Sequence, residues 1–429
     1  MTARIVDEAE ADLARRARRV LPAAGFGNVT FDIIIREGTG GRVRDESGNE
    51  YIDFLLGSGP MILGHSHPDV TAAVLEQVGK GSTFFANNEA GIRLAEEIVE
   101  ASPCAEKVRF LSSGSEATFY AMRLARAKSQ RSKIMKFEGG FHGMSDYALM
   151  SMAPRRPGNF PQAASDTAGI PDAISNEMLI APFNNTETAI SLIREHQDEL
   201  AAVIVEPLQR MIPPEPGFLV ALREVTLECG IALIFDEVVT GFRFAYGGAQ
   251  EFYGVTPDLC ALGKIIGGGY PLSAVAGKNQ FMKYFDAAEV GIDYVVKQIG
   301  TLSGNPIASV AGLATLNVLK GPSIYDRLFQ TGQQFMDGLT DLFAKHRIAA
   351  QVRGVPPMFD ILFTNARVID YRSAAKSDSA KLKIFNEHVL KGGLLKGDNK
   401  FYVSTAHSKE DIAQAIEICD KALAAVAAA

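Results

Sequence analysis

Between about residues 60 and 300, short apolar runs rich in Val, Ile and Phe alternate with stretches of helical spacing. The clearest runs are KVRFLSS, KIMKF, AAVIVEP and IALIFDEV, and helical stretches such as EATFYAMRLARAKS and FLVALREVTLECG lie between them. Runs of this kind, bounded by polar turns and followed by helices, are typical of a mostly parallel sheet covered on both faces. The middle of the chain is therefore predicted to be a large α/β domain.

The two ends of the chain have a different pattern. Residues 5–21 have helical spacing and precede alternating segments around 31–36 and 41–45. After 306 the pattern is helical, then has strand candidates at 349–352, 358–363 and 401–403, and ends in a helix. The ends are therefore predicted to form a smaller α+β domain. The predicted division is 1–58 for the N-terminal segment of the small domain, 59–305 for the large domain and 306–429 for the rest of the small domain.

Charge and composition narrow the function classes. Lys and Arg number 43 against 50 Asp and Glu, for a net charge of −7, which argues against a nucleic-acid partner. No apolar run approaches the roughly 18 residues of a membrane helix. The start, DEAEADLARRARRV, alternates acids and arginines where a secretion signal would be apolar. We therefore expect a cytoplasmic protein with neither nucleic-acid nor membrane partners.

The cysteines do not indicate a metal or disulfide site. Cys104, Cys229, Cys260 and Cys419 lie far apart, with no CxxC pair and no His at metal-ligand spacing. Spacing of this kind argues against a zinc site and a disulfide framework. We predict no metal.

One long irregular segment, residues 151–172, contains four prolines. Long segments without their own secondary structure are uncommon inside compact domains and are often lids or binding loops. A mobile surface loop explains the same composition equally well.

The segment SSGSEA (112–117) follows a strand candidate and opens a helix. Small residues at a helix N-terminus let backbone N–H groups point at an anion, so a phosphate lined by Ser113, Gly114 and Ser115 is one interpretation. A simple N-cap at Ser112 or Ser115 is the other, and taken alone this segment favours the cap.

Asp236 and Lys264 together indicate a ligand site more strongly than the segment SSGSEA does. Asp236 stands at the end of the buried run IALIFDEV, which is where ligands bind in open α/β sheets. Lys264 stands between an apolar run and three glycines, in surroundings that make a lysine a candidate amine nucleophile or Schiff-base former. A capping carboxylate and a snorkelling surface lysine are the structural alternatives.

Two further motifs contain groups suited to a planar ligand. FEGGFHG places Phe141 and His142 beside glycines, and EPLQ ends a strand candidate with Glu206 and Gln209. Each residue has a commoner structural explanation: a core Phe, a hydrogen-bonded His and a Glu that caps a turn. Together with Asp236, Lys264 and the phosphate cradle, they match a planar pyridinium that carries a phosphate and an aldehyde.

From about residue 40 to the C-terminus, the chain resembles the class III (fold type I) pyridoxal-phosphate aminotransferases, a family that includes glutamate semialdehyde aminomutases and related transaminases. The motifs that carry the resemblance are GNEYIDF, GPMILGHSHP, SSGSEAT, RLAR, KFEGGFHG, DEVVTGFR, YGVTPDL, LGKIIGGGYP and GTLSGNPIA. The resemblance implies a mostly parallel, seven-stranded sheet flanked by helices, and pyridoxal 5′-phosphate as the cofactor.

The same resemblance implies roles for individual residues. Lys264 would hold the cofactor covalently and then act as general acid and base. Asp236 would bond the protonated pyridine nitrogen, so that the ring can accept electron density. Phe141 would stack on one face of the ring and Val238 would pack on the other. The remaining implied cofactor contacts are Ser113, Gly114 and Ser115 at the phosphate, His142, Gln209 at the phenolic oxygen, and Thr301 from the neighbouring subunit of a homodimer.

The chain departs from the aminomutase pattern around the substrate. Ser58 replaces a Trp, Met211 replaces an Asn, and GFGNVTFD (25–32) lacks the arginine that would clamp a carboxylate. Arg210 replaces a small residue, so it is predicted either to bind a substrate carboxylate or to form a surface or interface salt bridge. We therefore expect a ping-pong aminotransferase for amino acids or amines. The alternative is intramolecular amino transfer. The sequence does not identify the substrate of either reaction.

Overall fold

A computed structural model describes residues 4–27 and 33–429, which form two compact units. The larger unit comprises Asp69–Pro322 and Arg367–Ala375. The smaller unit comprises the described residues up to Pro68, together with Ser323–Ala366 and Lys376–Ala429.

The strands are named in chain order. They are β1 (Ile35–Thr39), β2 (Arg42–Asp45), β3 (Glu50–Asp53), β4 (Lys107–Leu111), β5 (Lys133–Phe137), β6 (Met178–Ala181), β7 (Leu200–Val205), β8 (Ala232–Glu237), β9 (Leu259–Leu262), β10 (Ser273–Gly277), β11 (Gln351–Val355), β12 (Met358–Leu362), β13 (Leu394–Leu395) and β14 (Phe401–Tyr402).

The helices are named in the same way. They are α1 (Glu8–Val20), α2 (Pro68–Val78), α3 (Glu89–Ala101), α4 (Gly114–Ser129), α5 (Thr186–Glu195), α6 (Phe218–Glu228), α7 (Gly248–Tyr253), α8 (Asn279–Met282), α9 (Ala287–Val290), α10 (Pro306–Leu319), α11 (Ile324–His346), α12 (Tyr371–Ala374), α13 (Ser379–Lys391) and α14 (Lys409–Ala428).

The larger unit is built on a seven-stranded sheet of order β4-β10-β9-β8-β7-β5-β6. The pairs from β6 through β9 are parallel, whereas β10 runs antiparallel to both β9 and β4. Every residue of β7 and β8 is buried, because helices cover both faces of the sheet. The prediction of a mostly parallel, seven-stranded sheet is confirmed.

The smaller unit contains two small sheets. One has the order β1-β2-β3-β13, and the other, β11-β12-β14, is antiparallel. Helix α14 packs against α11 and α13, and these two helices contact β11 and β13, respectively. The strand predicted around 31–36 lies partly outside the described residues, and β1 begins at Ile35.

The boundaries between the units differ from the predicted ones. Helix α10 belongs to the larger unit because it packs against α3 and against the 3-10 turn Lys264–Gly267. The approach is close enough that a Cβ on Gly312 would lie 2.0 Å from the carbonyl oxygen of Ile266. Residues 367–375 also return to the larger unit.

Within residues 4–27 and 33–429, no single helix is long and apolar enough to cross a membrane, and only α10 and α11 taken together as a bent pair meet that length and composition.

Candidate active site

The two predicted catalytic residues lie at or just after the carboxyl ends of two neighbouring parallel strands. Asp236, near the end of β8, pairs with Ala261 of β9. Lys264 comes three residues after Ala261 and begins the 3-10 turn that ends at Gly267. The register therefore brings Asp236 and Lys264 to the same edge of the sheet, where ligands bind in open α/β folds.

Lys264 occupies an unusual backbone conformation. Its φ of +48° lies in the left-handed region, which residues other than glycine rarely adopt. Ile265 and Ile266, the next two residues, are fully buried and fix the turn in place. Residues in such backbone conformations cluster at functional sites.

Asp236 is 6% exposed, and both of its carboxylate oxygens have partners. Oδ2 lies 2.8 Å from Nδ1 of His142, and Oδ1 accepts a hydrogen bond from the backbone N–H of Val238 at 3.1 Å. The imidazole of His142 is 1% exposed. The pair therefore gives the carboxylate a fixed direction in a buried setting.

Two buried polar atoms at this edge have no hydrogen-bond partner within the described chain. They are Nε2 of His142 and Oε1 of Gln209. A Cβ added to Gly140 would lie 2.9 Å from the first and 3.2 Å from the second, so both atoms lie close to this glycine. Because buried polar atoms are nearly always hydrogen-bonded, two such atoms side by side point to a polar ligand.

The N-cap in SSGSEA is neither of the two predicted residues, Ser112 or Ser115, but a serine between them. Ser113 is the N-cap of α4 and forms a capping box with Glu116. The backbone N–H groups of Gly114 and Ser115, in the first turn, have no acceptor within the helix itself. Val238 packs so closely here that a Cβ on Gly114 would lie 2.8 Å from its Cγ1 atom. The cap therefore fixes the helix start without using the N–H groups that suit an anion.

The turn after β5 presents Phe141 at the surface of the unit. Its backbone N–H donates to Oε2 of Glu206 at 2.8 Å, and its side chain is 45% exposed. Gly143, with φ of +90°, allows the turn to lie against Ser115, since a Cβ there would lie 2.5 Å from the Cα of Ser115. The turn therefore joins the predicted stacking residue to the start of α4.

Arg210 contacts two backbone carbonyl groups and an aromatic ring, and neither kind of contact is one of the two predicted for it. Its Nε donates to the carbonyl oxygen of Gly139 at 2.6 Å, and its Nη2 donates to that of Met152 at 2.7 Å. Its guanidinium also lies over the ring of Tyr371, 5.9 Å from the centroid. A role with a substrate carboxylate stays a prediction.

The contacts within the larger unit do not place Thr301 or Ser58, which are also predicted site residues, at this edge of the sheet. Thr301 is exposed, on a turn whose Gly304 carbonyl accepts a hydrogen bond from Asn88. Ser58 is exposed in the smaller unit, with φ of +66°. Their roles stay predictions, and residues 28–32 of the segment GFGNVTFD lie outside the described residues.

Sequence reasoning missed two buried charged residues next to the site, one a lysine and the other a glutamate. Lys136, in the middle of β5, is fully buried and donates to the carbonyl oxygens of Ala148 and Met150, and burial lowers its pKa to about 7. Glu138, just after β5, forms an ion pair with Arg372. The sequence feature that could have predicted these contacts is a charged residue within or directly after an apolar run, because a buried charge needs a partner.

A family model described as Aminotransferase class-III matches residues 24–423. The chain therefore belongs to the class-III aminotransferases.

Individual relatives agree with this. The glutamate-1-semialdehyde 2,1-aminomutase of Natranaerobius thermophilus is 40% identical over 413 residues, covering 95% of this chain and 94% of the relative. Among solved structures, an omega-transaminase from Sphaerobacter thermophilus has a TM-score of 0.92 at 36% identity, covering 97% of this chain and 98% of that one. A transaminase with PLP bound has a TM-score of 0.90 at 30% identity and covers 99% of both chains.

The chain is accordingly a PLP-dependent enzyme, as predicted. The described residues fit this cofactor. The partnerless atoms of His142 and Gln209 call for a polar group, and the start of α4 suits its phosphate. The carboxylate of Asp236 suits a protonated ring nitrogen, and Lys264 supplies an amine at the same edge.

Proposed function

We propose that the chain moves an amino group from an amino acid or amine donor to a keto acid, ketone or aldehyde acceptor in two half-reactions. The observation that carries this proposal is the placement of Asp236 and Lys264 at the ends of adjacent parallel strands. PLP, when bound, supplies an aldehyde that takes up the amino group and a ring that accepts electron density. A donor that leaves before the acceptor arrives gives ping-pong kinetics.

The chain's own residues then have separate tasks. Lys264 would hold the cofactor through its amine and would move a proton at the reacting carbon. Asp236 would hold the protonated ring nitrogen, and His142 orients that carboxylate from 2.8 Å. Phe141 and Val238 would enclose the ring, while Gly114 and Ser115 would hold the phosphate through their N–H groups.

A donor screen tests the proposal. Single amines and amino acids are added to the purified, cofactor-loaded protein, and the visible absorption of the cofactor is followed before and after a keto acid is supplied. We expect one class of donor to convert the spectrum and the keto acid to restore it. Lys264→Ala should abolish both changes, whereas Lys80→Ala, at a lysine whose side chain is 62% exposed, should leave them intact. A wild-type spectrum that no donor alters would refute the proposal.

Intramolecular amino transfer is the second candidate. It is favoured by the 40% identity to a protein named glutamate-1-semialdehyde 2,1-aminomutase. Met211, buried with φ of +61°, and Ser58 are where the chain departs from the aminomutase pattern. An amino-aldehyde supplied alone separates the candidates. Rearranged product without an added acceptor indicates the mutase, whereas a reaction that stops after one equivalent indicates the transaminase.

We also propose that two copies assemble, with Thr301 reaching the phosphate in the neighbouring subunit. A cavity of about 500 Å³ near this turn is lined in part by Phe85, Ile92 and Ile299, whose side chains are 69%, 52% and 84% exposed. Sedimentation should give the mass of a dimer for the wild type. Ile299→Asp should shift the protein towards monomer and lower its activity, while Leu227→Asp, at an exposed position on α6, should do neither. A wild type that sediments as a monomer would contradict this.

A further inference from the structure

Glu138 and Arg372 form a bidentate ion pair beside the cofactor edge. Nε of Arg372 donates to Oε2 of Glu138 at 2.6 Å, and Nη2 donates to Oε1 at 2.9 Å. The carboxylate side chain is only 4% exposed, whereas that of Arg372 is 39% exposed. Paired bonds of this type fix orientation as well as supplying energy. Without Arg372, the buried carboxylate would lose its bidentate partner.

Arg372 also holds the irregular segment 151–172. Its Nη2 donates to the carbonyl oxygen of Gly158 at 2.6 Å, and its guanidinium lies 4.4 Å from the ring centroid of Phe160. Arg210 makes a parallel link, because it bonds the carbonyl oxygens of Gly139 and Met152. Two arginines therefore fasten this segment to the Glu138–Gly139 turn.

The same turn sets the direction of a cofactor-facing amide. The backbone carbonyl of Glu138 accepts a hydrogen bond from Nε2 of Gln209 at 2.7 Å. This bond fixes one end of the amide, so that Oε1 lies near Gly140 together with Nε2 of His142. Any movement of Glu138 therefore changes where the amide of Gln209 points.

The turn has little freedom to adjust by itself. Gly139 has φ of +86°, and a Cβ there would lie 2.7 Å from the ring and the Cβ of Tyr371. Tyr371 directly precedes Arg372 in α12. Segment 367–375 thus contacts the turn through both the ring of Tyr371 and the guanidinium of Arg372.

We infer that Arg372 is a positioning residue, which acts through Glu138 to aim the amide of Gln209 at the bound cofactor. This rests on the proposed function only in taking Gln209 as a cofactor contact. Arg372 does not itself touch the cofactor in this scheme. Its effect should therefore appear in how the cofactor is held and in the electronic environment of the cofactor ring.

The test uses Arg372→Gln, loaded with PLP and compared with wild type in two ways. We expect cofactor to be lost about 5- to 10-fold faster during dialysis, the equivalent of one hydrogen bond of about 1 kcal/mol. We also expect the visible absorption band of the bound cofactor to shift, because the amide no longer points in its fixed direction. Arg372→Lys, which keeps one charged bond to Glu138, should restore part of both properties.

Arg367→Gln is the matched control. Arg367 lies in the same segment, pairs with Glu215 at 3.0 Å and has a side chain that is 77% exposed. This variant should keep the wild-type band and release rate. If Arg372→Gln also keeps both, the inference is overturned. If Arg372→Gln does not fold, Arg372→Lys decides the question, since an unshifted band and an unchanged release rate would then refute the inference.

These measurements need only the cofactor, so they do not depend on finding a donor. A wild type that binds PLP but reacts with no amine would overturn the proposed function while leaving the inference about Arg372 testable. If Arg372→Gln transaminates normally and keeps the wild-type absorption band and cofactor release rate, the inference about Arg372 is overturned and the proposed function stands.

Discussion

The two acids that end β8 lie side by side in sequence and point to opposite faces of the sheet. On one face, Asp236 meets His142, whose second ring nitrogen has no partner within the described chain. On the other face, Glu237 accepts hydrogen bonds from the backbone N–H groups of Ala249 and Gln250 and from the hydroxyl of Thr240.

The hydrogen-bond partners of these two buried carboxylates indicate different roles. The hydrogen-bond donors around Glu237 belong to α7 and to the turn between β8 and α7. This carboxylate therefore stabilises the fold. Around Asp236 the network ends at Nε2 of His142, which has no partner within the described chain and therefore calls for a ligand. We therefore expect changes at position 236 to affect chemistry and changes at position 237 to affect stability.

The largest expected effect is on turnover by Asp236→Asn. The amide keeps the shape of the carboxylate but cannot stabilise a positive charge on the ring nitrogen. We expect the rate to fall by about 10²–10³-fold, as when one preorganised electrostatic partner is removed from an active site. Steady-state kinetics with a reactive donor measures this. An equal loss of rate in Glu237→Gln would contradict the expectation that only position 236 affects chemistry.

The next effect is on stability, in Glu237→Ala. Removing the carboxylate leaves the N–H groups of Ala249 and Gln250 buried without an acceptor and opens a gap beneath α7. We expect the free energy of unfolding to fall by about 3 kcal/mol, measured by urea denaturation. Asp236→Ala serves as the matched variant on the opposite face and should cost less. A larger cost at position 236 would contradict the contrast.

Glu237 should also make stability depend on pH. Burial raises its pKa from the ordinary value of 4.5 to about 7. The folded chain therefore keeps a proton that the unfolded chain has released, so this contribution is complete below about pH 4.5 and is lost as the pH rises through 7. The unfolding free energy of the wild type should fall relative to that of Glu237→Gln by roughly 3 kcal/mol across that interval. A difference that stays constant with pH would show that Glu237 does not titrate there.

The smallest expected effect belongs to Thr240→Val. The hydroxyl of Thr240, 2% exposed, donates to Oε2 of Glu237 at 3.1 Å. Valine keeps the shape but removes this donor, which should lower the unfolding free energy by about 1 kcal/mol and leave turnover unchanged. Thermal unfolding and the donor assay measure the two properties. A marked loss of turnover would mean that the two faces of β8 are coupled.

Much of the larger unit was predictable because its information is local. Each buried strand has its own apolar run, and Gly114, Phe141, Gln209, Asp236 and Lys264 each follow or end one of these runs. The carboxyl ends of parallel strands meet at one edge, so the sequence pattern alone brings these residues together.

What could not be predicted depends on contacts between distant parts of the chain. The short run SAVAG gives no sign that β10 lies antiparallel between β4 and β9. Likewise, no periodicity links Glu138 with Arg372, or places 367–375 in the larger unit. The pairing of His142 with Asp236 depends on the register of the strands, which single-strand patterns do not specify.

The return of residues 367–375 to the larger unit has a consequence for biosynthesis. Glu138 is made 234 positions before its partner Arg372. A nascent chain emerging from the ribosome can assemble most of the sheet, but the contact between Glu138 and Arg372 cannot form until residue 372 has been translated. Late closure of this kind leaves an incomplete edge exposed during synthesis, at the stage when chaperones bind newly made chains.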